Sequence, residues 1–121
     1  MDHLENLKFV NYAMIVLNLL MAAAVVAAGG LQVFLLYLAG EVAVGAYIAP
    51  VCVPVTIGFV LFLMAYMHLQ TGVRVVWGGG RSLQTVMAIL SMCNCPIGTF
   101  YAAYAIWVVW IGEESYREFE D

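Results

Sequence analysis

Residues 82–111 read SLQTVMAILSMCNCPIGTFYAAYAIWVVWI. Within them Ala88, Ser91, Cys95, Gly98, Ala102 and Ala105 fall three or four residues apart in strict alternation. At 3.6 residues per turn these positions share one helix face. A seam of small side chains lets a second helix approach closely, and this is how helices associate in lipid. Asn94-Cys95-Pro96 interrupts the seam midway. Pro96 has no N–H to give and so frees the carbonyl of Met92. A straight helix over 82–111 would be about 43 Å long. That exceeds a hydrocarbon layer of roughly 30 Å, so the helix is expected to tilt, project or kink, with Pro96 as the hinge. Trp107 and Trp110 are expected at the far interface, where indole rings favour the headgroup level.

The rest of the composition agrees. Of 121 residues, 65% are hydrophobic and 10% charged, with a mean hydropathy of +0.98. Soluble domains carry about 25% charged residues, so the surface of this chain is expected to face lipid. At about 20 residues per crossing, four spans use almost the whole length. The length sets a single domain, 1–121. The formal charge of −4 and the lack of a basic cluster exclude nucleic acid as a partner and give no support for polybasic capture of anionic lipid. Asp2 and Glu5 stand where a secretory signal would carry positive charge, so the N-terminal apolar stretch is expected to be a mature helix. Cys52, Cys93 and Cys95 are odd in number and apolar in setting, which favours buried thiols over a disulfide framework.

Punctuation along the chain predicts four helices. The first runs over 4–28 and stops at Gly29-Gly30, because glycine takes the left-handed conformation of a helix end. The second covers 31–49 and ends before Pro50. Pro50 and Pro54 bracket a turn, since proline suits the first turn of a new helix. The third covers 54–71 with Gly72 as its stop, and the fourth covers 82–111 after the Gly78-Gly79-Gly80 hinge. An acidic tail follows at 113–121. The expected architecture is an all-α, integral membrane four-helix bundle whose fourth helix kinks at Pro96. For the second helix, a full crossing and a re-entrant or interfacial segment both fit, since it holds Glu41. With four crossings Lys8 and Arg117 fall on one side and Arg74 and Arg81 on the other, so the positive-inside rule gives no orientation.

A charge in hydrocarbon needs a partner or a wet cavity, which directs attention to Glu41. In a hairpin turning at Gly29-Gly30, Asn18 and Glu41 lie level, each roughly 17 Å from the turn. Counting in from Ser82 brings Asn94 to a similar depth. Asn18, Glu41 and Asn94 are therefore expected to form one polar layer in mid-membrane. Two readings of it stay open. A protonated Glu41 bonded to Asn18 serves as interhelical glue. Alternatively, a carboxylate facing the broken helix forms a proton or cation site. Further small-residue faces, at Ala23 with Ala27, Ala24 with Ala28, and Ala39, Ala43 and Ala46, are expected to pack helices tightly.

Other chemistry finds little to stand on. Met92, Cys93 and Cys95, with Met64, Met67 and His68, have the soft donors copper prefers. On one helix, however, Cys93 and Cys95 point about 200° apart. His68 should lie level with about residue 85, on the depth set by a 1.5 Å rise per residue. A thiol-redox site is disfavoured because thiolates are poorly stabilised at depth. No nucleophile–base pair, phosphate loop or carboxylate pair stands out in the sequence, so no metal and no cofactor are expected.

The C-terminal third resembles a group of small, largely uncharacterised bacterial membrane proteins. The likeness rests on Arg81, on Ile89-Leu90-Ser91, on Asn94-Cys95-Pro96-Ile97-Gly98-Thr99 and on Tyr104-Ala105-Ile106-Trp107-Val108. It covers roughly residues 72 to 119. Cys93 and Cys95 depart from the aliphatic or aromatic residues more usual there, and Ala102-Ala103 from a common glycine. The resemblance implies four membrane helices and brings no activity with it. The expected role is that of a non-catalytic accessory or structural subunit of the bacterial inner membrane, contacting the lipid bilayer and packing against a membrane-protein partner or a second copy. The alternative is a small oligomeric ion- or proton-conducting protein using Glu41. An intramembrane thiol-redox or copper-binding protein ranks last.

Overall fold

The computed structural model describes residues 3–75, 81–93 and 96–111. Within them the chain is all-helical: α1 (His3–Leu38), α2 (Gly45–Val75), α3 (Arg81–Ser91) and α4 (Ile97–Ile106), the last running into a π-helical turn, Trp107–Ile111. The chain divides into two compact units, one of Met1–Ile15 with Tyr66–Asp121 and the other of Val16–Ala65.

The first helix does not stop at Gly29-Gly30. It continues for ten further residues to a glycine that does act as a stop, Gly40, at φ +79°. The backbone there closes two reverse bonds, Gly40 N–H to Tyr37 O at 3.1 Å and Glu41 N–H to Leu36 O at 3.1 Å. These satisfy two of the terminal carbonyls that a helix end otherwise leaves bare. Gly29 has a different use. A Cβ placed on it would lie 2.4 Å from Pro54 Cγ and 2.9 Å from the Pro50 carbonyl. Its missing side chain therefore permits contact between α1 and α2, and Gly30 beside it faces open space.

The proline reading is corrected as well. Pro50 and Pro54 lie inside α2 rather than bracketing a turn. Because Pro54 lacks an N–H, the Pro50 carbonyl has no helical donor of its own. That is the carbonyl set against Gly29. Helix-breaking residues are tolerated where a neighbouring helix covers the freed backbone, and the glycine makes room for it to do so. One helix pair, 3–38 with 45–75, thus replaces the three helices expected over 4–71.

The packing faces follow a seven-residue pattern. On α1 the fully buried side is Leu7, Asn11, Met14 and Asn18. On α2 it includes Leu61, Ala65 and His68, with buried Gly58 and Gly72 on the same side. Spacing of three and four residues keeps such positions on one face of each helix. The alanine pairs expected to form such seams do not: Ala23, Ala24, Ala27, Ala28, Ala39 and Ala43 are all exposed.

The fourth helix is two helices. It ends at Ser91, where Met92 and Cys93 close tighter bonds to Ile89 and Leu90. It resumes after Pro96, whose carbonyl accepts from Phe100 N–H at 3.2 Å. The break is a reversal and not a kink. Trp110 Nε1–H donates to Thr85 Oγ1 at 2.7 Å, although the two would be roughly 37 Å apart on one straight helix. Ala88, Ser91, Gly98, Ala102 and Ala105 are all buried, as two facing stripes of one hairpin. Cys95 lies outside the described residues.

The two adjacent glycines make opposite predictions. Gly29→Ala must displace Pro54 or the Pro50 carbonyl, at an expected cost of about 1–3 kcal/mol, as overpacking does. Gly30→Ala should be neutral or gain up to ~1 kcal/mol of helix propensity. Unfolding of both variants in mixed detergent micelles separates them; equal behaviour would remove the close-approach role of Gly29.

Candidate functional site

The residues singled out for chemistry do not come together. Glu41 is exposed in the turn between α1 and α2. Its carboxylate Oε1 accepts from Ala43 N–H at 2.9 Å and its carbonyl accepts from Tyr47 Oη–H at 2.6 Å. It thus organises the turn and the start of α2 and belongs to no mid-helix layer. The expected level pairing with Asn18 fails because the turn lies at 39–44 and not at Gly29-Gly30. Asn18 is fully buried on α1. Asn94 lies outside the described residues. Among the described residues no group of three His, Cys, Asp or Glu converges on one point, and Cys52 and Cys93 are exposed rather than buried. An open groove of about 300 Å³ beside the α1–α2 contact is lined by residues such as Val26, Val33, Pro54 and Val55, with no polar side chain to orient a ligand.

The polar centre of the molecule is elsewhere, in the unit that holds the ends of α1 and α2 together with α3 and α4. Asn11, His68, Gln84 and Ser91 are each 0% exposed and Tyr101 is 4% exposed. Each of the four helices supplies at least one of them. Asn11 Nδ2 donates to its own helix at Leu7 O, 3.0 Å, and to Gln84 Oε1, 2.9 Å. Gln84 Nε2 donates to Tyr101 Oη at 2.6 Å, and Tyr101 Oη–H donates onward to Asn11 Oδ1 at 2.7 Å. Three side chains from α1, α3 and α4 therefore close a ring of hydrogen bonds.

His68 joins the ring from α2. Its Nδ1 lies 2.9 Å from Asn11 Oδ1. A carboxamide oxygen only accepts, so the proton sits on Nδ1. That leaves the Nε2 lone pair toward the Ser91 hydroxyl at 3.5 Å. The imidazole also stands edge-on to the Tyr101 ring, centroids 5.0 Å apart and planes at 74°, the orientation aromatic quadrupoles prefer. Gly72 admits the neighbouring residue: a Cβ there would be 3.0 Å from the Tyr12 ring.

Ser91, His68 and Asn11 stand in the order hydroxyl, imidazole and orienting amide that hydrolytic sites use. The Ser91–His68 contact is long, at 3.5 Å, and Ser91 is fully buried. What the cluster does is join four helices through neutral polar groups. Buried polar groups of this kind are tolerated only when paired, and once paired they fix which helix faces meet.

Sequence reasoning missed Asn11, Gln84 and Tyr101, and weighed His68 only as a metal ligand. One signal was available. Leu7, Asn11, Met14 and Asn18 repeat at four, three and four residues, which marks both asparagines as members of a packed face.

Comparison with models of known families, with curated proteins and with solved structures finds no match to this chain.

Tyr101→Phe deletes one hydroxyl and leaves both Gln84 Nε2 and Asn11 Oδ1 short of a bond. The expected loss is about 1–3 kcal/mol, the cost of unsatisfied buried groups. Asn11→Ala with Gln84→Ala should be clearly non-additive in a double-mutant cycle; additive losses would mean the ring is not a unit.

Proposed function

We propose that this chain is an integral membrane protein of the bacterial inner membrane, non-catalytic, acting as an accessory or structural subunit that packs against partner membrane proteins. The observation that carries the reading is the contrast between apolarity and burial. The most apolar 18-residue window of Glu5–Leu38 has a mean hydropathy of 2.3 with 6% of it buried, and that of Gly45–Arg74 a mean of 2.4 with 22% buried. A core helix of a water-soluble protein would bury most of such a face. Here Leu20, Leu31, Phe34, Val55, Phe59 and Phe62 are all exposed. Exposure on this scale is stable against lipid, and lipid-facing helices are what a partner membrane helix docks on.

Two further points support a structural role. Asn11, His68, Gln84 and Tyr101 are bonded to one another across helices, and Glu41, the acid on which a conducting mechanism would depend, is a turn residue.

Alkaline carbonate extraction of native membranes, followed by native mass spectrometry after gentle solubilisation, tests this. Retention in the pellet and larger, different subunits in fixed ratio are expected. Release into the supernatant would overturn the membrane placement. A lone monomer or homo-oligomer would overturn the accessory role. An activity-based fluorophosphonate should leave Ser91 unmodified; labelling that is lost in Ser91→Ala would make the protein a hydrolase.

A further inference from the structure

Neither α3 nor α4 is long enough to cross a bilayer. Eleven residues in α3, and fifteen from Ile97 to Ile111 in α4 with the π-helical turn that continues it, give at most about 16 Å and 22 Å at 1.5 Å per residue, both short of a ~30 Å hydrocarbon layer. The two are antiparallel, and α4 returns to where α3 began. The Arg81 guanidinium lies 4.8 Å from the centroid of the Trp110 ring, whereas on one straight helix the two residues would be roughly 43 Å apart.

Polarity is graded along this hairpin. Its base carries Arg81, Trp107 and Trp110, the residue types found at headgroup level. Its far end exposes Ile89, Leu90, Met92, Ile97 and Phe100. Met92 and Cys93 N–H groups are bonded to Ile89 and Leu90 carbonyls at 3.2 Å and 3.3 Å, which tightens the end of α3, and Pro96 has no N–H to leave unpaired.

We propose that α3 and α4 form a re-entrant hairpin that enters the leaflet bearing Lys8, Arg74 and Arg81, reaches the hydrocarbon with the end of α3 and the start of α4, and leaves by the same face. This rests on the membrane reading above. It changes the count of charges. The chain crosses twice, through α1 and α2, so Lys8 before the first span and Arg74 after the second share a side. Only five residues separate Val75 from Arg81, a reach of about 20 Å fully extended, which keeps Arg81 on that side too. The tie at two cations per side disappears. Lys8, Arg74 and Arg81 face one compartment, and the turn at 39–44, with Glu41 as its one charge, faces the other. Lysine and arginine mark the cytoplasmic side. The ends of α1 and α2 that carry Lys8 and Arg74, and the base of the hairpin, are therefore cytoplasmic. Lys8 lies 5.6 Å and 5.9 Å from the Phe9 and Tyr12 ring centroids, an aromatic collar like that of Arg81 on Trp110, at the level of the anionic headgroups.

Thiol accessibility in the full-length protein tests this. Val42→Cys and Ser82→Cys are each placed in a background with Cys52, Cys93 and Cys95 changed to serine. Native Cys93 is kept alone in a third protein. An impermeant maleimide applied to intact spheroplasts should label Val42→Cys and spare Ser82→Cys; inverted vesicles should reverse this. Cys93 should label roughly tenfold or more slowly than either from both sides, since a charged, impermeant maleimide is excluded from hydrocarbon. Labelling of Cys93 from the side of Val42 would show that α3 crosses, and would overturn the hairpin. Labelling of Ser82→Cys together with Val42→Cys, in a protein retained after carbonate extraction, would overturn the topology alone. Release by carbonate would overturn the membrane reading and the hairpin with it.

Discussion

The carboxamide of Asn11 is the junction on which the arrangement of the helices depends. It donates to the backbone of α1 and to Gln84 of α3, and accepts from Tyr101 of α4 and His68 of α2. An amide has two donor hydrogens and an oxygen that accepts twice, and all four are used. In the membrane setting we propose, there is little hydrophobic force between helices, because acyl chains are as apolar as leucine. The choice of which faces meet then falls to close packing and to polar groups that must find partners. Each bond adds only about 0.6–2 kcal/mol. Rotating α1 by one residue would turn Asn11 about 100° away and strand several partners together. The ring therefore acts more on specificity than on gross stability.

Small residues make that ring possible by letting backbones draw near. Gly72 lies against Tyr12 and Asn11 Cβ, and Gly58 against Val26. The buried stripe of Ala88 and Ser91 faces one of Gly98, Ala102 and Ala105 across the α3–α4 hairpin. A short amide side chain such as Asn11 spans from one helix to another only where the axes are close. The polar ring and the small-residue seams are thus one design seen at two levels of the chain.

Much of this was legible in the sequence, with one consistent blind spot. The all-helical character and the break near Pro96 follow from composition and punctuation. The buried positions Ala88, Ser91, Gly98, Ala102 and Ala105 follow from spacing. The turns were misplaced because glycine and proline each have two uses. Gly29-Gly30 and Gly40 look alike as helix stops, and only the reverse hydrogen bonds at Tyr37 and Leu36 distinguish them. Pro50 and Pro54 look like breakers until the opposite helix supplies a glycine at their level. The ring itself joins residues 11, 68, 84 and 101, and no local pattern places such distant positions together. Only the face shared by Leu7, Asn11, Met14 and Asn18 hinted at it, and a charged residue, Glu41, drew the argument away.

Moving the turn from Gly29-Gly30 to Gly40 also removes the main electrostatic difficulty. A carboxylate in mid-bilayer would cost several kcal/mol by any scale and would demand a function. In the turn, Glu41 meets solvent and a backbone N–H, and nothing has to offset its desolvation. The charges then sort by depth: Lys8 stands near the start of α1, Arg74 near the end of α2, Arg81 at the base of the hairpin and Glu41 in the turn. The polar groups on the packed faces between are amides, an imidazole, a phenol and hydroxyls, which hydrogen-bond without carrying net charge.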